Sequence, residues 1–429
     1  MLKKILGTIG TRYLIAILNL ALIFINAKTL GVKGLGLAGI ILASVNIVVM
    51  FNGILSGNTI VYFMNRYSMR TIFIPAYLWT LLGSAIACLC MKALGLIPDG
   101  YVQAVYLLSV LMSWVAANSR FLLGKDRITG FNITFMLQGG MLFFVLLYFY
   151  YIRQEQEVGA YIWGLYITNG TAFLFSLFLL LPGLFASNPQ HSTDGKSYTV
   201  VLKEMFAYGL WGSVDNMAEI LTTRLNYFLI QRFGGLGNVG LLDAGTKISE
   251  SVWHISRSIS FIEYGSVAQT NEAARQKRIT LQLFKLTFCA VTLATVCVLL
   301  IPEWVYTDYL FSSQFKGIRQ VIAGLSVGIV ALGCNSILSH YFIGSGQIRY
   351  SAGSSAIGLL SLLIAGYGLI PFQGVVGAAV SSSIAFCMML AFSMGVFCKK
   401  THTHLSEFLP NAADISFLKE YLRQKRTKH

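Results

Sequence analysis

The stretch Ile17-Leu-Asn19-Leu-Ala-Leu-Ile-Phe-Ile-Asn26-Ala-Lys28-Thr-Leu30-Gly31-Val-Lys33-Gly34-Leu-Gly36-Leu-Ala-Gly39 decides the fold class. It closes one apolar run, 9–30, and leads into another, 37–64, with a glycine-rich joint between them. Each run reaches the roughly 20 apolar residues that a helix needs to cross a bilayer. In hydrocarbon every backbone N–H and C=O must be satisfied within its own segment, so such runs form helices. The alternating ten-residue segments of a membrane β-barrel are absent, because the runs are continuous.

Ten more runs follow, at 72–94, 101–123, 128–152, 160–181, 205–231, 239–267, 279–302, 318–343, 350–369 and 374–397, which makes twelve expected spans. Composition agrees: 55% of the 429 residues are hydrophobic and 11% are charged, with a mean hydropathy of +0.67. A soluble domain carries about 25% charged residues, so a water-soluble enzyme is excluded, and the apolar content excludes a disordered chain. The net charge of +15 is not spread evenly. One alternating set of connections holds twelve Lys and Arg, among them Arg66, Arg70, Lys125, Arg127, Lys277 and Arg278; the other holds Lys33, Arg153, Arg232 and Lys316. The richer set, and both termini with it, is expected in the cytoplasm. Met1-Leu-Lys-Lys precedes an apolar run without a small-residue cleavage site, which reads as an uncleaved first span. The seven cysteines lie mostly inside apolar runs without a C-x-x-C pair, so they read as small buried residues rather than disulfides or metal ligands.

The polar segment 182–204 is expected to join two halves. Leu30–Gly39 is echoed by Phe233-Gly-Gly-Leu-Gly-Asn-Val-Gly-Leu-Leu-Asp-Ala-Gly245, at an offset of 203 residues. Leu123-Gly-Lys-Asp-Arg-Ile128 is echoed by Ile343-Gly-Ser-Gly-Gln-Ile348, at an offset of 220. These echoes point to a duplication in one orientation, a transporter plan in which substrate lies between the halves. The expected architecture is an all-α integral membrane protein. Its twelve transmembrane helices form two pseudo-symmetric six-helix lobes around a central cavity. Residues 1–181 form one lobe, 182–204 the cytoplasmic linker, 205–398 the other lobe and 399–429 a basic amphipathic tail.

Polar residues inside spans are costly and rank as functional candidates. Arg12, Asn19 and Asn26 recur every seven residues in span 1. Asp215, Glu219, Thr222 and Asn226 follow steps of 4, 3 and 4 in span 7. Asp243, Lys247, Glu250, His254 and Arg257 follow steps of 4, 3, 4 and 3 in span 8. Such steps place side chains on one helix face, and the three faces are expected to meet a shared wet interior. The plainer reading is that Asp243–Lys247 and Glu250–His254 neutralise each other in a packed interface. Lys28 and Arg120 read as snorkelling side chains, His340 as a hydrogen-bonded interior residue, and Arg224 lies off the stripe of span 7. No nucleotide, zinc or nucleophile motif is present, so no catalytic residue, metal or cofactor is expected. From Asp414 the tail places Ile415, Leu418 and Leu422 on one face among basic residues, suited to an anionic membrane surface.

Leu30-Gly-Val-Lys-Gly-Leu-Gly-Leu, the polar course of span 2 from Asn52-Gly53 to Tyr62, the echo at 233–240 and the charged spans 7 and 8 resemble the bacterial polysaccharide flippases. These are the O-antigen repeat-unit translocases of the multidrug/oligosaccharidyl-lipid/polysaccharide exporter superfamily. The resemblance implies two lobes in a V around a hydrophilic cavity and alternating access. It also implies a cargo of short sugar chain on undecaprenyl diphosphate, moved from the inner to the outer leaflet of the bacterial inner membrane beside polysaccharide assembly enzymes. Lipid II flippases of the same superfamily have fourteen spans, for which the chain is too short. On this reading Arg12, Lys247 and Arg257 meet the diphosphate, since arginine donates two parallel hydrogen bonds to phosphate. Asn19 and Asn26 meet sugar hydroxyls, Asn226 also belongs to the substrate-binding set, and Asp215, Glu219, Asp243, Glu250 and His254 couple protons or sodium ions. The alternatives are an ion-coupled multidrug exporter of the same superfamily and a membrane-embedded polysaccharide polymerase. A polymerase needs a sizeable outward loop, and the longest one expected, 303–317, is short.

Overall fold

The computed structural model describes residues 2–64, 66–125, 127–185, 198–268 and 272–409, and among them the chain is all-helical, without a strand. The helices are α1 (Leu2–Ser56), α2 (Asn58–Phe63), α3 (Met69–Ala93), α4 (Val102–Gly124), α5 (Ile128–Ile152), α6 (Val158–Phe185), α7 (Tyr198–Ala268), α8 (Ala273–Leu300), α9 (Ile318–Gly344) and α10 (Ile348–Thr401). Among the described residues, eight helical stretches are long and apolar enough to cross a membrane. The polar α7 falls outside that set.

Three helices far exceed a bilayer's thickness, and each is broken at one glycine. Gly31 in α1 has φ 66° and ψ −179°, Gly235 in α7 has φ 75° and ψ 178°, and Gly374 in α10 has φ 56° and ψ −129°. Positive φ with extended ψ belongs to glycine, because a Cβ would collide with the backbone. This corrects the expectation of glycine-rich connecting loops at 30–39 and 233–245. The helix runs through both stretches and turns at a single residue, giving each long helix two arms. The break in α1 is capped from outside: Val32 N–H donates to Gln314 Oε1 at 3.1 Å, from the turn between α8 and α9.

Small residues let the arms approach closely, as is usual where lipid supplies no hydrophobic drive between helices. Amides then tie neighbours together. Asn52 Nδ2 donates to Ser84 Oγ and Ser113 Oγ, both at 2.8 Å, joining α1 to α3 and α4. Asn335 Oδ1 accepts from Ser393 Oγ at 2.7 Å, joining α9 to α10. The largest apolar core runs from Ile40 and Val45 of α1 through Val239 and Leu242 of α7 to Ile318 and Ala378, so both halves share it. Phe178, Ile364 and Phe372 stand exposed, as side chains facing acyl tails do. The expected joint 182–204 narrows, since α6 runs to Phe185 and α7 begins at Tyr198. The amphipathic segment from Asp414 lies outside the described residues.

Candidate functional site

Between α1, α5 and α6 on one side and the second arm of α7 on the other lies a cavity of about 410 Å³. Asn19 and Asn26 both line it, as two full turns of helix require. Asn46 from the second arm of α1, Gln138 from α5 and Asn169 from α6 bring three more amides to the same wall. Gln138 lies in a π-helical turn, Met136–Gly140, a distortion that often marks functional positions. Gln138 Nε2 donates to Asn169 Oδ1 at 3.0 Å, Asn169 Nδ2 donates to Leu165 O at 2.8 Å, and Tyr150 donates its hydroxyl to Asn26 Oδ1 at 2.9 Å.

Opposite the amides, α7 presents Lys247, Glu250, Ser251 and His254. Lys247 Nζ meets Asp243 Oδ2 at 2.6 Å, and the other oxygen of Asp243 accepts the Tyr227 hydroxyl at 3.1 Å. Arg224 Nη1 donates to that same hydroxyl at 3.0 Å, while Nη2 lies 2.9 Å from Glu250 Oε1 and 3.2 Å from Oε2. Two cations and two carboxylates therefore form one continuous chain with no net charge. Its members are mostly covered, Asp243 exposing only 2% of its side chain. Removing one partner from such a pair costs about 3–5 kcal/mol, because the other is left charged and unmatched.

The structure sorts the candidates of the three stripes. Asn19, Asn26, Lys247, Glu250 and His254 line the cavity, with Asp243 directly behind Lys247. Arg257 lies one turn further along α7, exposed, its guanidinium 4.5 Å from the Trp253 ring centroid. The polar face of span 7, expected to meet the same interior, turns elsewhere. Asn226 is buried with Nδ2 donating to Ala378 O, Ser381 Oγ and Ser382 Oγ, and Thr222 packs near Gly358, so this face is spent on α10. Glu219 is half-buried on α7 and does not line the cavity. The side chains of Arg12 and Asp215 lie outside the described part of the chain. The pairing Glu250–His254 gives way to Glu250–Arg224, and Arg224 finds its place on the face of α7 opposite Thr222 and Asn226, two residues from Asn226 and so half a turn away. His340 Nδ1 lies 2.7 Å from Ser336 O.

Asn46, Gln138, Asn169 and Tyr227 escaped the sequence reading. None of the four belongs to the polar stripes of spans 1, 7 and 8, which were the signal the spacing offered. Among the described residues, no group of three His, Cys, Asp or Glu is placed to hold a metal ion.

Helices of the two halves also meet away from the cavity. Near the breaks, α1 and α7 cross at Gly36 and Gly240. At the opposite end Gly209 of α7 lies against the carbonyl of Ile54, Tyr62 stacks on Tyr208 with centroids 4.2 Å apart, and the Tyr67 hydroxyl donates to Glu204 Oε2 at 2.7 Å.

No family model and no curated protein matches the chain. Among solved structures it is similar to the lipid II flippase MurJ in an inward closed conformation, with a TM-score of 0.72 and 11% identity over 95% of this chain and 89% of that one. It is also similar to an outward-facing multidrug resistance MATE family transporter of the MOP superfamily, with a TM-score of 0.60 and 15% identity over 92% and 94%. A MOP superfamily transporter from Pyrococcus furiosus matches with a TM-score of 0.58 and 14% identity over 92% and 94%. At these identities the likeness is one of fold: the chain has the fold of MOP-superfamily membrane transporters.

Proposed function

We propose that the protein is a flippase moving lipid-linked, undecaprenyl-diphosphate oligosaccharide repeat units from the inner to the outer leaflet by alternating access, for cell-surface polysaccharide. The observation that carries this reading is the amide-lined cavity between the halves. A polar head cannot cross roughly 30 Å of hydrocarbon unaided, and a wall of donors and acceptors replaces its water. The fold shared with a lipid II flippase supports the same reading.

Taking each arm of the broken helices as one crossing gives the twelve spans of the sequence, in two six-helix lobes with both termini cytoplasmic. The breaks at Gly31 and Gly235 then lie toward the outside. Arg257, and Arg12 by its sequence position, lie toward the cytoplasm, where the diphosphate of an inner-leaflet lipid sits. Lys247 is committed to Asp243, so we assign the diphosphate to Arg257 and Arg12 and the sugars to Asn19 and Asn26. Asn226 holds α7 to α10 in this state. Glu219, Asp243, Glu250, His254 and Asp215 are the groups through which protons or sodium ions would couple. We place the protein in a bacterial inner membrane beside polysaccharide assembly enzymes.

Multidrug export, the second reading, is supported by the fold shared with a multidrug resistance transporter. A deletion strain separates the two. Loss of surface polysaccharide with accumulation of the lipid-linked repeat unit is the expected result. Intact polysaccharide together with new drug sensitivity would replace the flippase reading with export.

A further inference from the structure

At the cavity wall the charges are mutually satisfied and the amides are not. Lys247 is held by Asp243 and Glu250 by Arg224, partners that stand behind the wall. Among the described residues the side chains of Asn19 and Asn46 make no hydrogen bond, that of Asn26 keeps both its N–H donors, and that of Gln138 keeps its carbonyl. A carboxamide both donates and accepts, as a sugar hydroxyl does, so five of them in one wall match a polyhydroxyl surface whatever way each hydroxyl points.

An anion entering this space finds Lys247 already neutralised by Asp243 at 2.6 Å, and a cation finds Glu250 already neutralised by Arg224 at 2.9 Å. Either loses hydration for little Coulombic return, and an uncharged ligand is spared that cost. Resting on the flippase reading above, we infer that this cavity selects an uncharged saccharide, without uronic acid, phosphate or free amino groups, and that the diphosphate stays outside it beside Arg257. The volume of about 410 Å³ lies in the usual small-molecule range of about 300–1,000 Å³ and suits a short head.

The test uses the full-length protein in lipid nanodiscs, with ligand affinity read from thermal-unfolding shifts over a concentration series. The probes are farnesyl diphosphate carrying an uncharged disaccharide, the same lipid carrying a disaccharide that ends in a uronic acid, farnesyl diphosphate alone, and tetraphenylphosphonium. The uncharged glycolipid is expected to bind at least about tenfold more tightly than the uronate form or the bare diphosphate. Asn19→Leu combined with Gln138→Leu is expected to bring it down to the affinity of the bare diphosphate. Asp243→Asn, which frees Lys247, is expected to bring the uronate form within about threefold of the uncharged one. Equal binding of the two glycolipids by the unaltered protein overturns the selectivity for uncharged sugar and leaves the flippase reading standing. Binding of tetraphenylphosphonium with neither glycolipid bound overturns both.

Discussion

Gly36 and Gly240 fit into one another where α1 crosses α7, and the contact is reciprocal. A Cβ on Gly36 would strike the carbonyl of Leu236, and a Cβ on Gly240 would strike the carbonyl of Val32. Leu236 follows Val32 by 204 residues, as Gly240 follows Gly36 and Gly235 follows Gly31, so each half offers the other the same surface. This is the self-complementary contact of a two-fold interface, built within one chain.

A methyl group at this crossing should therefore pry it apart. Gly240→Ala is expected to destabilise by about 1–3 kcal/mol, the usual cost of overpacking. Gly237→Ala, where an added Cβ meets nothing within 4 Å, is expected to be neutral or slightly stabilising. Thermal unfolding of the two variants in nanodiscs checks the difference, and equal melting temperatures would count against the close crossing.

The break in α7 tests backbone conformation alone, because the space around Gly235 is open. Gly235→Ala is expected to cost about 1–3 kcal/mol, the strain of a side chain at its φ and ψ. Chemical denaturation of the reconstituted protein measures it. A neutral result would mean that the break is not held by glycine's freedom.

The paired charges predict strong non-additivity. Arg224→Leu leaves Glu250 unmatched and is expected to cost about 3–5 kcal/mol, while Arg224→Leu with Glu250→Leu recovers most of that loss. A double-mutant cycle on unfolding free energies reads the coupling directly, and additive losses would argue that the two groups are independent.

Glu263 is wholly buried near Thr280, and neither of its carboxyl oxygens has a hydrogen-bond partner. Exchanging it for a neutral amide should therefore cost nothing. Glu263→Gln is expected to leave the melting temperature unchanged or higher, and Thr280→Val, which removes a buried hydroxyl that likewise has no hydrogen-bond partner, is expected to do the same, whereas a loss equivalent to about 1–3 kcal/mol in either would show that the two side chains bond. Calorimetry of both variants decides.

Beyond the last helix, the turn Leu405–Phe408 seats Phe408 against Phe284, and Glu407 accepts the His404 backbone N–H at 2.9 Å while Lys277 lies 3.2 Å away. The backbone hydrogen bond first, then Lys277, hold its carboxyl below the ordinary carboxylate value. A lowered folded-state value means that the contribution is whole above the ordinary pKa of about 4.3 and fades as pH falls through the lower one. The melting temperatures of the unaltered protein and Glu407→Gln are expected to differ near neutrality and to converge in acid. A gap that widens on acidification would contradict the clip.

Apolar length was legible in the eight stretches outside α7, and so was the place of each turn between the arms of α1 and α7. Its form was not, because a glycine-rich run looks alike whether it loops or merely bends at Gly31. The echo set at 203 residues aligned Gly31 with Gly234, whereas the breaks align at 204, at Gly235. Spacing told that Thr222 and Asn226 share a face but not what that face meets, which depends on where α10 packs. Gln138 was hidden for another reason: the π-turn around it rotates the residues that follow relative to a regular helix, and no period of 3.6 survives it.

The chain of Asp243, Lys247, Arg224 and Glu250 has an electrical corollary. A single unit charge carried across the bilayer feels about 2.3 kcal/mol per 100 mV of potential. Four groups that cancel feel almost none as they shift together, so this quartet gives the potential no grip on any movement of α7, and a voltage dependence would have to come from the charges outside it, such as Arg257 and Glu219.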